Sequence, residues 1–355
     1  MTSAVTIVLS TYGRPGTLAC AVRSVLLQTM PDWRLLVIGD GCGEETAAVM
    51  APLLADPRIR YVNLPWRCGE QAQPNSAGMA CASTSRIALL NHDDLWLPSH
   101  LDRACRQMDH TGADFFFGRS AWIWDAPESM DAPLAIETVS PLPQSFEQIF
   151  CSGIHRIEPA SAWVVSRKLA DKVGPWHSSS GLFRAPIQDW VLRACRAGAQ
   201  VTPGAEVTCF KFENQWSAQA AERRYDTPAL PQEAALRMMQ VPATLHDLTL
   251  RLQRLAKHPE AVGRRMDLSA TPTIGPKAQQ LTQQLLTANT ANFYLQTQLD
   301  AYTWLCAELG LPRGWRWRAA LQHRTGETRI TPPSQPEVTA YVARAITEHP
   351  WTNDV

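Results

Sequence analysis

Near the amino terminus, Val5-Thr6-Ile7-Val8-Leu9 is an apolar and β-branched run with no polar alternation. Such a run predicts a strand buried on both faces, because a strand with one wet face alternates apolar and polar residues. A turn with Gly13, Pro15 and Gly16 follows. Next comes a helix pattern with Leu18, Val22, Val25 and Thr29 on one stripe and Pro15 suited to its first turn. The alternation then repeats, with strands expected at 35–38, 59–62 and 87–90 and helices at 76–83 and after Pro98. Strands alternating with helices predict an α/β fold with a mostly parallel, doubly wound sheet flanked by helices. Ligands of such sheets bind beyond the carboxyl ends of the strands. Chemistry is therefore sought at Ser10-Thr11-Tyr12, at Asp40, and at Asn91 through Asp94.

Composition narrows the function classes. Thirty-three basic and thirty-three acidic residues cancel, so the chain lacks the general positive field of a nucleic-acid binder. Forty-five per cent apolar residues against 19% charged is enough for a full core across 355 residues. The nine cysteines include no C-x-x-C pair, which points to reduced, buried thiols and not to a zinc or disulfide framework. No signal peptide or membrane-length apolar run is seen. The expectation is a cytoplasmic protein, with a peripheral membrane contact left open.

Further along, 125–145 is rich in Pro, Ser and Asp and is expected as a surface loop. Strands are expected at 162–165 and 207–210, a Gly/Ser loop at 174–181, and an amphipathic helix at 186–197. The tail is rich in Gln, Leu and Ala, with helix patterns near 232–256, 277–310 and 335–347. A boundary near 225 would divide an α/β domain, 1–225, from a mainly helical region, 226–355.

Three acidic positions stand out. Asp93 and Asp94 at a strand end offer the hard oxygens that Mg²⁺ or Mn²⁺ prefers, or else simply close the strand ahead of the helix after Pro98. Asp40 could accept hydrogen bonds from a base or ribose, or serve as a turn residue between Gly39 and Gly41. Asp189 could act as a general base, or as an i,i+4 partner of Arg193 on a solvated face. Neither a G-x-G-x-x-G fingerprint nor a P-loop is present.

In combination these pieces resemble glycosyltransferase family 2, inverting enzymes of the GT-A fold. The likeness covers about residues 3 to 215. It rests on VTIVLSTYGRP…AVRSVLLQTMPDWRLLVIGDG…ET, on LLNHDDLWLPSHL and on QDWVLRACRAG, three strings in the family's order. The resemblance implies a metal-dependent transfer of sugar from a nucleoside-diphosphate sugar to a hydroxyl of a glycan or lipid-linked acceptor. It implies that Ser10, Thr11, Tyr12 and Arg14 line the nucleotide pocket and that Asp40 hydrogen-bonds the base. Asp93 and Asp94 would share the ribose and a Mn²⁺ or Mg²⁺ ion, and Asp189 would deprotonate the acceptor. The chain departs from the family at Asn91, where Asp is frequent, at Asn75-Ser76, where Arg-Asn is frequent, and at Gln188, where Glu is frequent.

Thirteen tryptophans against nine Phe and six Tyr invert the usual aromatic order. Trp163, Trp176 and Trp190 fall in the half expected to face the acceptor, where flat rings with one N–H suit sugars, although core packing is the alternative. His155 and His177, on loops, are candidates to complete a metal shell. In the tail, residues from Leu281 to Leu309 recur at alternating 4 and 3 spacing, with Asn292 at an a position. That seam predicts a homodimer through 277–310 or a helix packed back on the catalytic domain. The run Trp315-Arg316-Trp317-Arg318 could meet a lipid surface or lie in an exposed turn. Two other functions remain: a GT-A-like module without turnover that binds or assembles glycans, and a nucleotidyltransferase, for which STYGRPG is a thin phosphate loop.

Overall fold

The computed structural model describes residues 5–123, 133–140, 159–178, 182, 186–212, 229–257 and 333–351. The first half alternates β1 (Val5–Thr11), α1 (Pro15–Leu26), β2 (Trp33–Gly39), α2 (Glu44–Met50), β3 (Ile59–Asn63), α3 (Ala72–Cys81) and β4 (Arg86–Leu89). Each strand and helix expected there is present within a few residues. Val5, Ile7, Val8 and Leu9 are wholly buried, as a strand sandwiched between helices requires. Pro15 opens α1, and Leu18, Val22 and Val25 have no exposed surface. The helix stops at Leu26, so Thr29 lies beyond it and donates its N–H to the Pro98 carbonyl at 2.8 Å.

The second half holds β5 (Leu95–Trp96), α4 (His100–Thr111), β6 (Phe115–Ile123), β7 (Ile136–Val139) and β8 (Trp163–Ser166). It continues through α5 (Arg167–Val173), α6 (Pro186–Arg196) and β9 (Val201–Phe212). Among the described residues one sheet runs β3-β2-β1-β4-β8-β6-β9-β5, with β7 paired to β6. The β3-β2-β1-β4 portion and the β6–β9 pair are parallel. The β8 strand enters between β4 and β6 antiparallel to both. β1 sits between β2 and β4, so successive crossovers leave it in opposite directions. That is the topological switch where open sheets place their ligands.

Two expectations are corrected. Residues 136–139 of the expected surface loop form β7, with Leu134, Ile136 and Val139 buried, because β6 extends far enough to offer them a partner. The single helix expected at 232–256 is two, α7 (Leu230–Gln240) and α8 (Pro242–Lys257). Pro242 has no N–H to continue α7, and Val241 before it is extended.

The tail's described helices share cores with the sheet. Ala234, Ala235, Leu236 and Met239 of α7 pack with Leu95, Ala121 and Phe210. The last helix, α9 (Gln335–Glu348), buries Val338 and Val342 with Leu36, Ile38, Val62 and Ala77 on the flank of α3. For these segments the boundary near 225 separates no core. The 277–310 seam, and with it the dimer reading, lies outside the described residues, as does the 315–318 run. The seven cysteines among the described residues are free thiols. No helix among them is long and apolar enough to cross a membrane.

Candidate active site

A pocket of about 370 Å³ opens at the carboxyl ends of β1, β2 and β4. Ser10, Thr11, Tyr12, Arg14, Asp40 and Asp93 all line it, so the fold brings these expected residues together. The pocket also takes Asn91 and His92 from the expected strand-end set, and Arg67, Glu70 and Lys211, three residues that the sequence did not single out. Arg67 and Glu70 come from the irregular segment between β3 and α3. Lys211 comes from β9, more than a hundred residues after β4.

Asp40 follows β2 and is only 5% exposed. Its carboxylate accepts the backbone N–H of Cys68 and, at 3.0 Å, that of Gly69, so it anchors the loop that forms one pocket wall. Burial raises its pKa, and the two amides oppose the rise. On the same wall the Arg67 guanidinium lies 3.9 Å from the centre of the Tyr12 ring. Across from them, His92 Nδ1 accepts the Tyr12 N–H at 3.3 Å and meets Thr11 Oγ1 at 3.1 Å. Those contacts assign the ring proton to Nε2, in keeping with burial lowering the imidazole's pKa.

The two adjacent carboxylates differ in setting. Asp93 faces the pocket with one oxygen 2.9 Å from Arg14 Nη1 and the other 3.9 Å from Lys211 Nζ. Burial works to raise its pKa, but Lys211, His92 and Arg14 outweigh it and hold the carboxyl below its usual range. The Asp94 side chain has no exposed surface. Its Oδ2 accepts Ser161 Oγ at 2.5 Å and Asn91 Nδ2 at 2.8 Å, and its Oδ1 faces Lys211 Nζ at 3.2 Å. Burial pushes this carboxyl up to about 6 despite Lys211. Asp94 thus ties the end of β4 to the turn before β8 and to β9.

This donor set suits a divalent ion poorly. Asp94 is sealed off with both oxygens engaged, and Asp93 already meets two cations. Asn91 spends its amide N–H on Asp94. Among the described residues no group of three His, Cys, Asp or Glu is gathered to hold a metal. His177 points elsewhere, and His155 lies outside the described residues.

Asp189 is in the first turn of α6 and does not line the pocket. Its side chain is 5% exposed, and Oδ2 takes Arg193 Nε at 2.9 Å and His177 Nδ1 at 3.1 Å. Arg193 is not merely a solvated i,i+4 partner, since it also donates to the carbonyls of Val173 and Pro175, each at 2.7 Å. It thereby fixes the segment ahead of His177. One residue earlier, the Trp176 N–H donates to Ser76 Oγ at 2.8 Å, linking that segment to α3 and hence to the pocket wall at Pro74.

The expectation for the three tryptophans is corrected. Trp163 and Trp190 have no exposed surface and Trp176 has 3%. Trp163 packs on both others with ring centres 6.1 Å apart, and Phe115 adds an edge to Trp163 and to Trp190. Their faces are spent on one another, so none is open to a sugar.

The family model for glycosyl transferase family 2 matches residues 6–174. The match takes in just under half of the 355 residues. Among curated relatives, the UDP-Glc:alpha-D-GlcNAc-diphosphoundecaprenol beta-1,3-glucosyltransferase WfgD of Escherichia coli is 29% identical over 114 residues, 32% of this chain and 44% of that protein. The succinoglycan biosynthesis protein ExoW of Rhizobium meliloti is 31% identical over 115 residues, 32% of this chain and 36% of that protein. The matched stretch thus spans less than half of either relative. Among solved structures, S. aureus TarS 1-349 superposes with a TM-score of 0.50 at 11% identity, covering 92% of this chain and 93% of that one. At that identity the likeness is one of fold, and the expected GT-A architecture of the family is what the sheet order displays. Every pocket residue except Lys211 lies within the matched stretch of the family.

Proposed function

We propose that this chain transfers a sugar from a nucleoside-diphosphate sugar to an acceptor hydroxyl, inverting the anomeric carbon. The observation that carries the reading is the pocket at the switch of a family 2 sheet, with Tyr12 and Asp40 at one end and Arg14, Asp93 and Lys211 at the other. Tyr12 offers a ring to the base, and the backbone around Asp40 offers it polar edges. The cationic end suits a diphosphate, whose negative charge grows as the bond to the sugar breaks. Asp189, at the start of α6, takes the proton of the attacking hydroxyl, and Arg193 and His177 orient its carboxylate. One in-line displacement then forms the new glycosidic bond and releases the nucleoside diphosphate, with no covalent enzyme intermediate.

The glycan or lipid-linked acceptor inferred from the sequence accords with WfgD, whose name describes a diphosphoundecaprenol-linked substrate. The Mn²⁺ or Mg²⁺ ion expected at Asp93 and Asp94 would meet a poor donor set, because the carboxylates there are engaged by protein groups. The test is release of UDP or GDP from a panel of sugar nucleotides with lipid-linked acceptors, wild type against Asp189→Asn. Turnover by the wild type that falls at least about a hundredfold in the variant supports the reading. Equal background rates for both proteins across the panel would favour a glycan-binding module without turnover.

A further inference from the structure

We propose that the Lys211 ammonium, together with Arg14, holds the donor's diphosphate where a divalent cation would otherwise be needed, so that this site binds nucleoside diphosphates without metal. The inference rests on the donor-pocket reading above and adds the means by which the phosphate charge is met. Lys211 Nζ lies between the two carboxylates at the end of β4, 3.2 Å from Asp94 Oδ1 and 3.9 Å from Asp93 Oδ1. A cation bound by both carboxylates would have to occupy that ground. An ion at the usual distance of about 2.1 Å from Asp93 Oδ1 would share this oxygen's surroundings with an ammonium already there. Like charges so close, away from bulk water, repel strongly.

Further features favour a protein cation over a bound ion. Lys211 is on β9, where it pairs with Trp122 of β6 one residue beyond the Leu95–Phe210 pair with β5, so its backbone is anchored in the sheet. Its side chain is only 16% exposed and lines the pocket. Preorganised in this way, the ammonium meets a phosphate with little loss of side-chain freedom. Asp94 is the buried counter-charge that keeps Nζ at the pocket wall, which gives this carboxylate a positioning role in place of metal ligation. Arg14 approaches from β1's end, 2.9 Å from Asp93, so two cations flank the carboxylate facing the pocket. A guanidinium and an ammonium on one wall match the two phosphates of a nucleoside diphosphate. Finally, Asn91, a neutral residue at the end of β4, donates its amide N–H to Asp94. Asn91 therefore brings no negative ligand to the site, and its bond steadies the carboxylate holding Lys211.

The experiment is calorimetric titration of the full chain with UDP, GDP and ADP, each in EDTA and again with Mn²⁺. At least one nucleotide is expected to bind in EDTA with a Kd within about threefold of that in Mn²⁺, a difference of well under 1.4 kcal/mol. In EDTA, Lys211→Met should weaken that Kd by about tenfold or more, as loss of a charged hydrogen bond predicts, while Lys211→Arg should retain most of it. Circular dichroism establishes that each variant is folded. Should Lys211→Met not fold, the EDTA comparison on wild type and Lys211→Arg decides alone. Binding seen only with Mn²⁺, or full binding by a folded Lys211→Met, overturns the inference and leaves the donor pocket standing. No binding of any nucleotide under either condition overturns the donor pocket itself, and the inference with it.

Discussion

Lowering the pH should destabilise this protein through one buried histidine, His100, in the first turn of α4. Its side chain has no exposed surface, stacks on Trp96 with ring centres 4.5 Å apart, and meets Thr208 Oγ1 through Nδ1 at 2.8 Å. Its Nε2 is buried without a hydrogen-bond partner among the described residues. Burial carries the imidazole's pKa from the ordinary 6.5 down to about 3. The unfolded chain therefore binds a proton near pH 6.5 that the folded chain refuses until about pH 3. Stability is full above the unfolded value and declines as pH falls between the two, at about 1.36 kcal/mol per unit. From about pH 7.5 to about pH 5 the loss due to this group is roughly 2 kcal/mol. His100→Gln does not titrate in this range and keeps a group able to bond Thr208. Urea unfolding at the two pH values, read by tryptophan fluorescence, should give the wild type a loss about 2 kcal/mol larger than the variant's. An equal loss in both proteins would refute the argument, because His92 and the carboxylates are common to the two.

Two further substitutions test how the fold supports the pocket. A Cβ on Gly78 would overlap Val8 Cγ1 and press on Ile38 Cδ1 at 3.1 Å, so Gly78→Ala should lift α3 off the sheet at a cost of about 1–3 kcal/mol by urea unfolding. Because Pro74 of α3 lines the pocket, nucleotide affinity should fall with stability. Val338 of α9 is wholly buried in the same core cluster as Cys68, whose N–H bonds Asp40, and Tyr341 sets its ring 5.5 Å from that of Trp66. Val338→Ala should cost about 2 kcal/mol and weaken nucleotide binding measurably by titration. Unchanged affinity in a destabilised variant would mean that α9 braces the domain without touching the donor site.

Much of the first half was legible because its strands are buried on both faces. The central strands of a parallel sheet need apolar side chains on each side, so Val5–Leu9 and Leu35–Ile38 announce themselves without alternation. Polar residues just past those runs then fall in the pocket by topology alone. β6 escaped notice because Gly118, Arg119 and Ser120 interrupt its apolar pattern. Only the fold explains the arginine: it is 3% exposed and donates to the carbonyls of Ser140, Ala205 and Ala256 at 2.8, 2.9 and 3.1 Å. Gly118 has its own reason, since a Cβ there would meet the Ala162 carbonyl oxygen at 2.8 Å.

Local pattern therefore determined the α/β class, the order of the early elements, the family likeness and the pocket's residues at the ends of β1, β2 and β4, since each depends on burial period or on short strings of neighbours. Contacts between distant segments decided the rest. Whether a tryptophan faces a sugar or another ring depends on what packs across from it, and for Trp163, Trp176 and Trp190 the answer was one another. Whether two aspartates hold a metal depends on which charges arrive from elsewhere. Lys211 arrives from β9, 117 positions beyond Asp94, and no periodicity in a strand marks a lysine as the counter-ion of a carboxylate so far away.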